Sequence, residues 1–174
     1  MNDFTQLIFF MSPAMLVALS VYIVLQKMLK SDEVRQNFVL KKASQQTTIS
    51  MRLQAYERLI LFLERISPDA LVLRTHQQNL SNQDFHILLL SVVREEFEHN
   101  LSQQLYVGND AWETVKTAKE SVVMHINESA AQLNVENSSM ELARLVVENY
   151  AKDGNANLIS AAINMLKNEA KKIF

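Results

Sequence analysis

Three stretches of different polarity follow one another along the chain. Residues 4–26 contain no charged side chain and are rich in Leu, Ile, Val, Phe and Met. A helix over these 23 positions would rise roughly 35 Å, enough to cross a bilayer. The following residues are mostly polar, and helically spaced apolar positions return at residue 49. The pattern predicts a transmembrane anchor over 1–27, a polar juxtamembrane stalk over 28–48 and a helical bundle over 49–174.

The bundle domain opens with a strongly amphipathic helix. Its apolar positions are spaced four, three, four and three, and three further residues widen the stripe: Ile49, Leu53, Tyr56, Ile60 and Leu63, widened by Leu59, Phe62 and Ile66. Ser67 before Pro68 is typical of a helix start, and Ser81 with Asp84 resembles a capping box. The chain has only two glycines and two prolines, which favours long helices. We therefore expect an all-α fold with a bundle of about five helices.

Charges beside the apolar segment predict its orientation. Asp3 is the only charged side chain before the segment, whereas five basic residues follow it: Lys27, Lys30, Arg35, Lys41 and Lys42. Because basic flanks resist translocation, the C-terminal domain is expected in the cytoplasm and the N-terminus outside. A signal peptide is disfavoured, since a basic n-region and a small-residue cleavage site are absent. The same lysines could instead sense anionic lipid, although setting topology is the preferred interpretation.

Two alanines within the apolar segment are spaced for helix packing. Ala14 and Ala18 form a small-x-x-x-small pair, which allows a second helix to approach closely. Alanine is also common on lipid-facing surfaces, so the pair remains a candidate contact only.

Charge and cysteine content narrow the classes of function. Residues 1–42 carry five basic and three acidic side chains, and residues 43–174 carry twelve and sixteen. The acidic domain lacks a basic stripe that could neutralise phosphates, so nucleic-acid binding is not expected. The chain has no cysteine, which excludes disulfides and thiolate metal sites and suits a reducing compartment.

A few residues are weak candidates for a metal site. Glu96 and His99 have the Glu-x-x-His spacing of di-iron bundles, which require that motif twice. The other candidates are His86, His125 and Glu128. A hairpin turning near Gly108 would bring His86 close to Glu128 but would separate Glu96 from His125 along the axis. Surface or hydrogen-bonding roles are therefore preferred, and we expect no bound metal or other cofactor.

The sequence contains no recognisable catalytic arrangement. It lacks a nucleophile elbow and any glycine-rich phosphate loop, so ordinary enzymatic activity is not expected. Four aromatic residues could form a binding surface, but their helical spacing is more typical of a core: Tyr56, Tyr106, Trp112 and Tyr150.

Three segments carry a resemblance to a known family. They are MRLQAYERLILFLERISPD at 51–69, REEFEHNLSQQLYV at 94–107, and Trp112. In these the chain resembles an uncharacterised family of small single-pass membrane-anchored helical proteins from Bacteroidota. The resemblance implies an anchor with cytoplasmic helices in a bacterial inner membrane, and it brings no activity and no functional residues. It leaves 95–104 and 54–65 as candidate partner surfaces.

Taken together, these features predict a non-enzymatic interaction module anchored in the membrane. The bilayer and a protein partner, or a second copy of the chain, are the expected contacts, and an accessory role in an inner-membrane complex would fit. The alternative is a membrane-bound metalloprotein or hydrolase that uses the Glu and His residues of the bundle.

Overall fold

The computed structural model describes residues 3–77, 80–134, 138–152 and 156–173. Its elements are α1 (Asp3–Ile66), α2 (Pro68–Thr75), α3 (Asn82–Asn100), a 3₁₀ helix (Leu101–Leu105), α4 (Asn109–Ala131), α5 (Ser139–Lys152) and α6 (Ala156–Lys171). The described residues contain no strand, although Ser81 and Ser138 form an isolated antiparallel bridge. The predicted all-α class is confirmed.

The chain divides into two compact units, Met1–Thr48 and Ile49–Phe174. Helix α1 is continuous through the residues predicted as anchor and stalk. In the first unit every side chain that the structure describes is exposed. No helix in the described part of the chain is long and apolar enough to cross a bilayer. Of the predicted anchor, the side chains of residues 1–10 and 12–14 lie outside that description.

The core of the second unit lies between the last third of α1 and the helices that follow it. Its buried apolar residues recur at helical spacing on each element: Ala55, Tyr56, Leu59, Phe62, Leu63 and Ile66 on α1, Phe85, Leu89 and Val93 on α3, Val115, Ala118, Val122 and Ile126 on α4, Leu142 and Val146 on α5, and Ile159, Ala162 and Leu166 on α6. Helix α4 contacts α3, α5 and α6, and α2 contacts α3 and α5. These contacts make α4 central to the bundle.

The buried face of α1 differs in phase from the predicted stripe. Ile49 is exposed, Leu53 and Ile60 are half-buried, and burial is centred on the side of Leu59 and Ile66. The sequence pattern was wide enough to include both sides, and only packing against the other helices selects one of them.

The predicted helix starts are found close to their expected positions. Helix α2 begins at Pro68, one residue earlier than expected, and the Ser67 hydroxyl donates back to the Glu64 carbonyl at 2.8 Å. The capping interaction of α3 is confirmed, because Ser81 Oγ accepts from the Asp84 amide at 3.0 Å and donates to its carboxylate at 2.7 Å. At α3 the cap is a contact between residues three apart, which explains why the sequence located this start. At α2 Ser67 makes no side-chain cap, and Pro68 at the first helical position marks the start.

Candidate functional site

Glu96 joins three helices of the bundle through two ion pairs. Its Oε1 atom lies 2.8 Å from the guanidinium of Arg65 on α1 and 2.8 Å from that of Arg74 on α2. The Glu96 side chain is 15 % exposed, whereas those of the arginines are more exposed. Two positive partners satisfy this carboxylate, so its geometry is that of a structural ion pair. His99, its predicted companion, is exposed on α3.

His86 makes a contact close to the one that the hairpin geometry predicted. Its Nε2 atom lies 2.8 Å from Oδ1 of Asn127 on α4, whereas the predicted neighbour was Glu128, one residue further along. Glu128 is exposed, and its backbone carbonyl accepts a hydrogen bond from the side-chain amide of Gln132 at 3.2 Å. The predicted pairing of α3 with α4 therefore has the right register to within one residue, but the side chain reached is an amide.

His125 is buried between α4 and α5. It is 1 % exposed, and its Nε2 atom lies 2.9 Å from the Val146 carbonyl. Because a carbonyl oxygen only accepts, Nε2 carries the hydrogen. Nδ1 has no hydrogen-bond partner within the described residues, and the Tyr150 ring lies edge-on with its centroid 5.7 Å away. This histidine is a core residue held by one backbone hydrogen bond.

The structure does not bring the five metal candidates together. They are Glu96, His99, His86, His125 and Glu128, and they are distributed between an ion pair, exposed positions, an amide contact and the core. In the described ranges, no group of three or more His, Asp or Glu residues is placed to hold a metal ion.

An aromatic groove lies between α3 and α4. Phe97 stacks on Trp112 with centroids 5.6 Å apart, and Lys119 Nζ lies 4.6 Å from the Phe97 centroid in a cation–π contact. A cavity of about 440 Å³ lies beside Phe97 and Lys119, and we call it the α3–α4 groove; it is lined by Leu90, Val93, Arg94, Phe97, Glu98, Leu101, Lys119, Glu120 and Val123. An apolar floor with a charged rim suits protein recognition.

The α3–α4 groove overlaps one of the two candidate partner surfaces. Residues 95–104 contribute Phe97, Glu98 and Leu101 to it. Sequence reasoning missed the α4 side, because the neighbours of Phe97 are more than fourteen residues away in the chain. Trp112 and Lys119 are two helical turns apart on α4, and this spacing could have indicated that both lie on the side facing Phe97.

A second polar cluster joins α1, α4 and α6. The Tyr56 hydroxyl donates to Glu169 Oε2 at 3.2 Å, and the Gly108 amide donates to the same oxygen at 3.1 Å. Arg52 donates to the Tyr56 hydroxyl at 3.3 Å and to the Tyr106 carbonyl at 3.2 Å. Burial raises the pKa of Tyr56; the hydrogen bond from Arg52 opposes this effect, and the negative Glu169 adds to it. Sequence reasoning did not find this cluster.

The residues predicted for helix packing and for topology lie in the first unit. Ala18 is exposed beside Met15, Leu19 and Tyr22, while the side chain of Ala14 lies outside the description. The predicted topology-setting residues are all exposed: Lys27, Lys30, Arg35, Lys41 and Lys42.

The predicted aromatic core is found in the bundle. Tyr56 is 2 % exposed and Trp112 is 8 % exposed, while Tyr106 and Tyr150 are half-buried. The preference for core over a binding surface is confirmed at the first two positions.

Residues 2–173 match the model of a family described as being of unknown function. No curated protein matches the chain, and no solved structure does so.

Proposed function

The chain belongs to that family, DUF7935, and because the family brings no activity with it, we propose a function from the chain's own residues. The protein is a membrane-anchored, non-enzymatic interaction module. Its N-terminal helix inserts into a bacterial inner membrane with the N-terminus outside. Its bundle lies in the cytoplasm and binds protein, as an accessory subunit of a larger membrane complex.

The observation that carries the proposal is the exposed apolar surface of the described residues in the first part of α1. Eleven large apolar side chains between residues 11 and 28 are each at least 49 % exposed: Met11, Met15, Leu16, Val17, Leu19, Val21, Tyr22, Ile23, Val24, Leu25 and Met28. Soluble proteins rarely leave so large an apolar surface exposed to water. The described residues alone do not reach the length of a span. Lipid would cover their apolar surface, and the sequence between residues 4 and 26, part of which lies outside the described side chains, contains no charge that would resist insertion.

The second support comes from the candidate residues for chemistry. Glu96 is neutralised by two arginines, and His125 is buried with its N–H group bonded to a carbonyl. Their observed contacts give both residues structural roles. The α3–α4 groove, in contrast, combines exposed apolar surface with charges, as protein-binding surfaces do.

The anchor is tested by placing charges within it. Leu16→Arg combined with Leu19→Arg should move the full-length protein from the membrane pellet to the supernatant after carbonate extraction, because each arginine costs roughly 3 kcal/mol at a helix centre. Leu73→Arg is the matched control, since Leu73 is 86 % exposed on α2, and it should stay in the pellet. A wild-type protein found in the supernatant would rule the anchor out.

Orientation is tested separately with reporters fused to the two ends of the chain. A phosphatase that is active only outside the cytoplasm should be active at the N-terminus and inactive at the C-terminus. Replacing the five basic residues after the segment by glutamine should weaken that preference. Phosphatase activity at the C-terminus of the wild-type protein would reverse the proposed topology.

Partner binding is tested by purifying the tagged full-length protein in mild detergent and identifying co-purifying proteins by mass spectrometry. A stoichiometric partner should be lost when the groove is blocked by Val123→Arg. Arg144→Glu, on the exposed side of α5, should retain it. Recovery of this chain alone at stoichiometric level would remove the role as a subunit of a stable hetero-complex and would leave self-association as the use of the groove.

A further inference from the structure

Helix α3 has an exposed stripe directly opposite its buried face. The stripe contains Ile87, Arg94 and Glu98, which at 100° per residue lie within about 40° of one another around the helix axis, and it continues at Leu101, where the 3₁₀ helix begins. Ile87 is 58 % exposed and Leu101 is 44 % exposed; Leu105, 78 % exposed, lies four residues further on, at the end of the 3₁₀ helix. We call these five residues the α3 stripe. Exposed apolar side chains on both sides of a charged pair are typical of a contact surface.

When two copies of the α3 stripe are placed antiparallel, each charge faces an opposite charge. Arg94 precedes Glu98 by one helical turn, and both are exposed without an ion-pair partner in the described part of the chain. A two-fold axis beside residue 96 would place Arg94 of one copy opposite Glu98 of the other, and Glu98 opposite Arg94. A two-fold interface uses the same surface on both copies, so this arrangement forms two identical ion pairs.

The apolar residues of the α3 stripe obey the same symmetry. The axis beside residue 96 would bring Ile87 of one copy towards the 3₁₀ helix of the other, where Leu101 and Leu105 are exposed. Leu101 of each copy then faces Ser91 of the other, beside Leu90 at the edge of the α3–α4 groove. Exposed apolar side chains therefore lie on both sides of the ion pairs.

We propose that the α3 stripe and the adjoining α3–α4 groove form the interface of a symmetric homodimer. The inference rests on the proposed interaction module and identifies its partner as a second copy of this chain. One helix face with its groove would bury less area than the ~800 Å² per partner that is usual in stable complexes, so the dimer should be reversible. Confinement to a membrane would raise the effective concentration and favour it.

Charge reversal tests the interface in the full-length protein. In Arg94→Glu, two Glu–Glu contacts replace the two ion pairs, and in Glu98→Arg, two Arg–Arg contacts do so. Sedimentation in a density-matched detergent should show each single variant dimerising at least about tenfold more weakly than the wild type, since like charges across an interface are repulsive. The double variant restores both ion pairs in reversed order and should dimerise like the wild type.

Mixing the two single variants gives the sharpest outcome. A heterodimer of Arg94→Glu with Glu98→Arg contains two Glu–Arg pairs, so the mixture should dimerise although neither variant does so alone. The matched control is Arg144→Glu, which makes the same charge change on α5, where Arg144 lies 3.7 Å from Glu148 one turn away. It should dimerise like the wild type, and circular dichroism should show that all variants keep their helical content.

Three results would overturn the inference. The first is a wild-type protein that stays monomeric up to about 100 µM, where even small interfaces are populated. The others are single variants that dimerise as the wild type does, as contacts through the apolar part of α1 would produce, and a mixture of the two variants that stays monomeric. Carbonate extraction of the same variants reports on the anchor independently. The homodimer can therefore fail while the proposed anchored module stands.

Discussion

At the scale of single residues, the contacts of a side chain decide its role more than its type does. Glu96 and His99 have the spacing of a metal motif, yet Glu96 pairs with Arg65 and Arg74, and His99 is exposed. The two arginines lie on other helices, 22 or more positions earlier in the sequence. No sequence pattern near residue 96 predicts these two ion pairs.

The Tyr56 hydroxyl should make stability depend on alkaline pH. Its pKa is raised above the ordinary 10.0, chiefly by burial, so the folded state holds this proton more tightly than the unfolded chain does. The resulting stability is complete below pH 10.0 and is lost as pH rises through the folded-state pKa. The melting temperature should therefore fall steeply at that point.

Thermal unfolding followed by circular dichroism between neutral and strongly alkaline pH checks this dependence. Tyr56→Phe should flatten the alkaline decline, although it lowers stability at neutral pH by removing a hydrogen bond. An unaltered decline in Tyr56→Phe would assign it to other groups, among which Tyr150 also has a pKa raised by burial.

At the scale of elements, the cluster around Glu169 joins α6 to the start of α4. Gly108 is the N-cap of α4, and its amide donates to the Glu169 carboxylate, as does Tyr56 from α1. An acidic group at a helix N-terminus is favoured by the helix dipole. Here that group comes from another helix, 61 positions away in the chain.

Gly108→Ala should destabilise the bundle through Glu169. A Cβ atom at position 108 would clash with Glu169 Oε1, so the flexible carboxylate must shift, which weakens the hydrogen bonds that its Oε2 atom accepts from Tyr56 and Gly108. We expect a loss of about 1–2 kcal/mol in the free energy of unfolding. In a Glu169→Ala background, the same glycine substitution should cost almost nothing, because the obstructing carboxylate is gone.

Urea denaturation of the wild type, both single variants and the double variant measures this coupling as a double-mutant cycle. Ala131 on the exposed side of α4 offers a control, since Ala131→Ser should show no coupling to Glu169→Ala. Equal costs of Gly108→Ala in both backgrounds would mean that the substitution acts elsewhere.

At the scale of the whole molecule, the buried core lies entirely within the second unit. Its members run from Ala55 to Leu166, and the first unit contributes none of those described. Folding energy from burial is therefore concentrated in residues 49–174.

A chain shortened to begin at Ile49 should fold without the first unit. It keeps every described buried residue, so circular dichroism should show cooperative melting within a few degrees of the full-length protein. A chain beginning at Leu63 removes Ala55, Tyr56, Leu59 and Phe62 from the core and should not melt cooperatively. If both shortened chains failed, the first unit would be required for folding.

Local order could be read from the sequence because its causes are local. The near absence of glycine and proline predicted helices, the capping serine at Ser81 predicted the start of α3, and the spacing of α3 and α4 gave their pairing to within one residue. These features depend on side chains within a turn or two of one another, so the chain itself displays them.

The tertiary structure alone decided which groups meet. It selected the buried side of α1, brought Arg65 and Arg74 to Glu96, stacked Phe97 on Trp112 and placed Glu169 at the start of α4. Each contact depends on the rotation of one helix about its axis relative to another. Interlocking of the whole core fixes that rotation, so a pattern along one helix can show that a face is apolar without showing what will cover it.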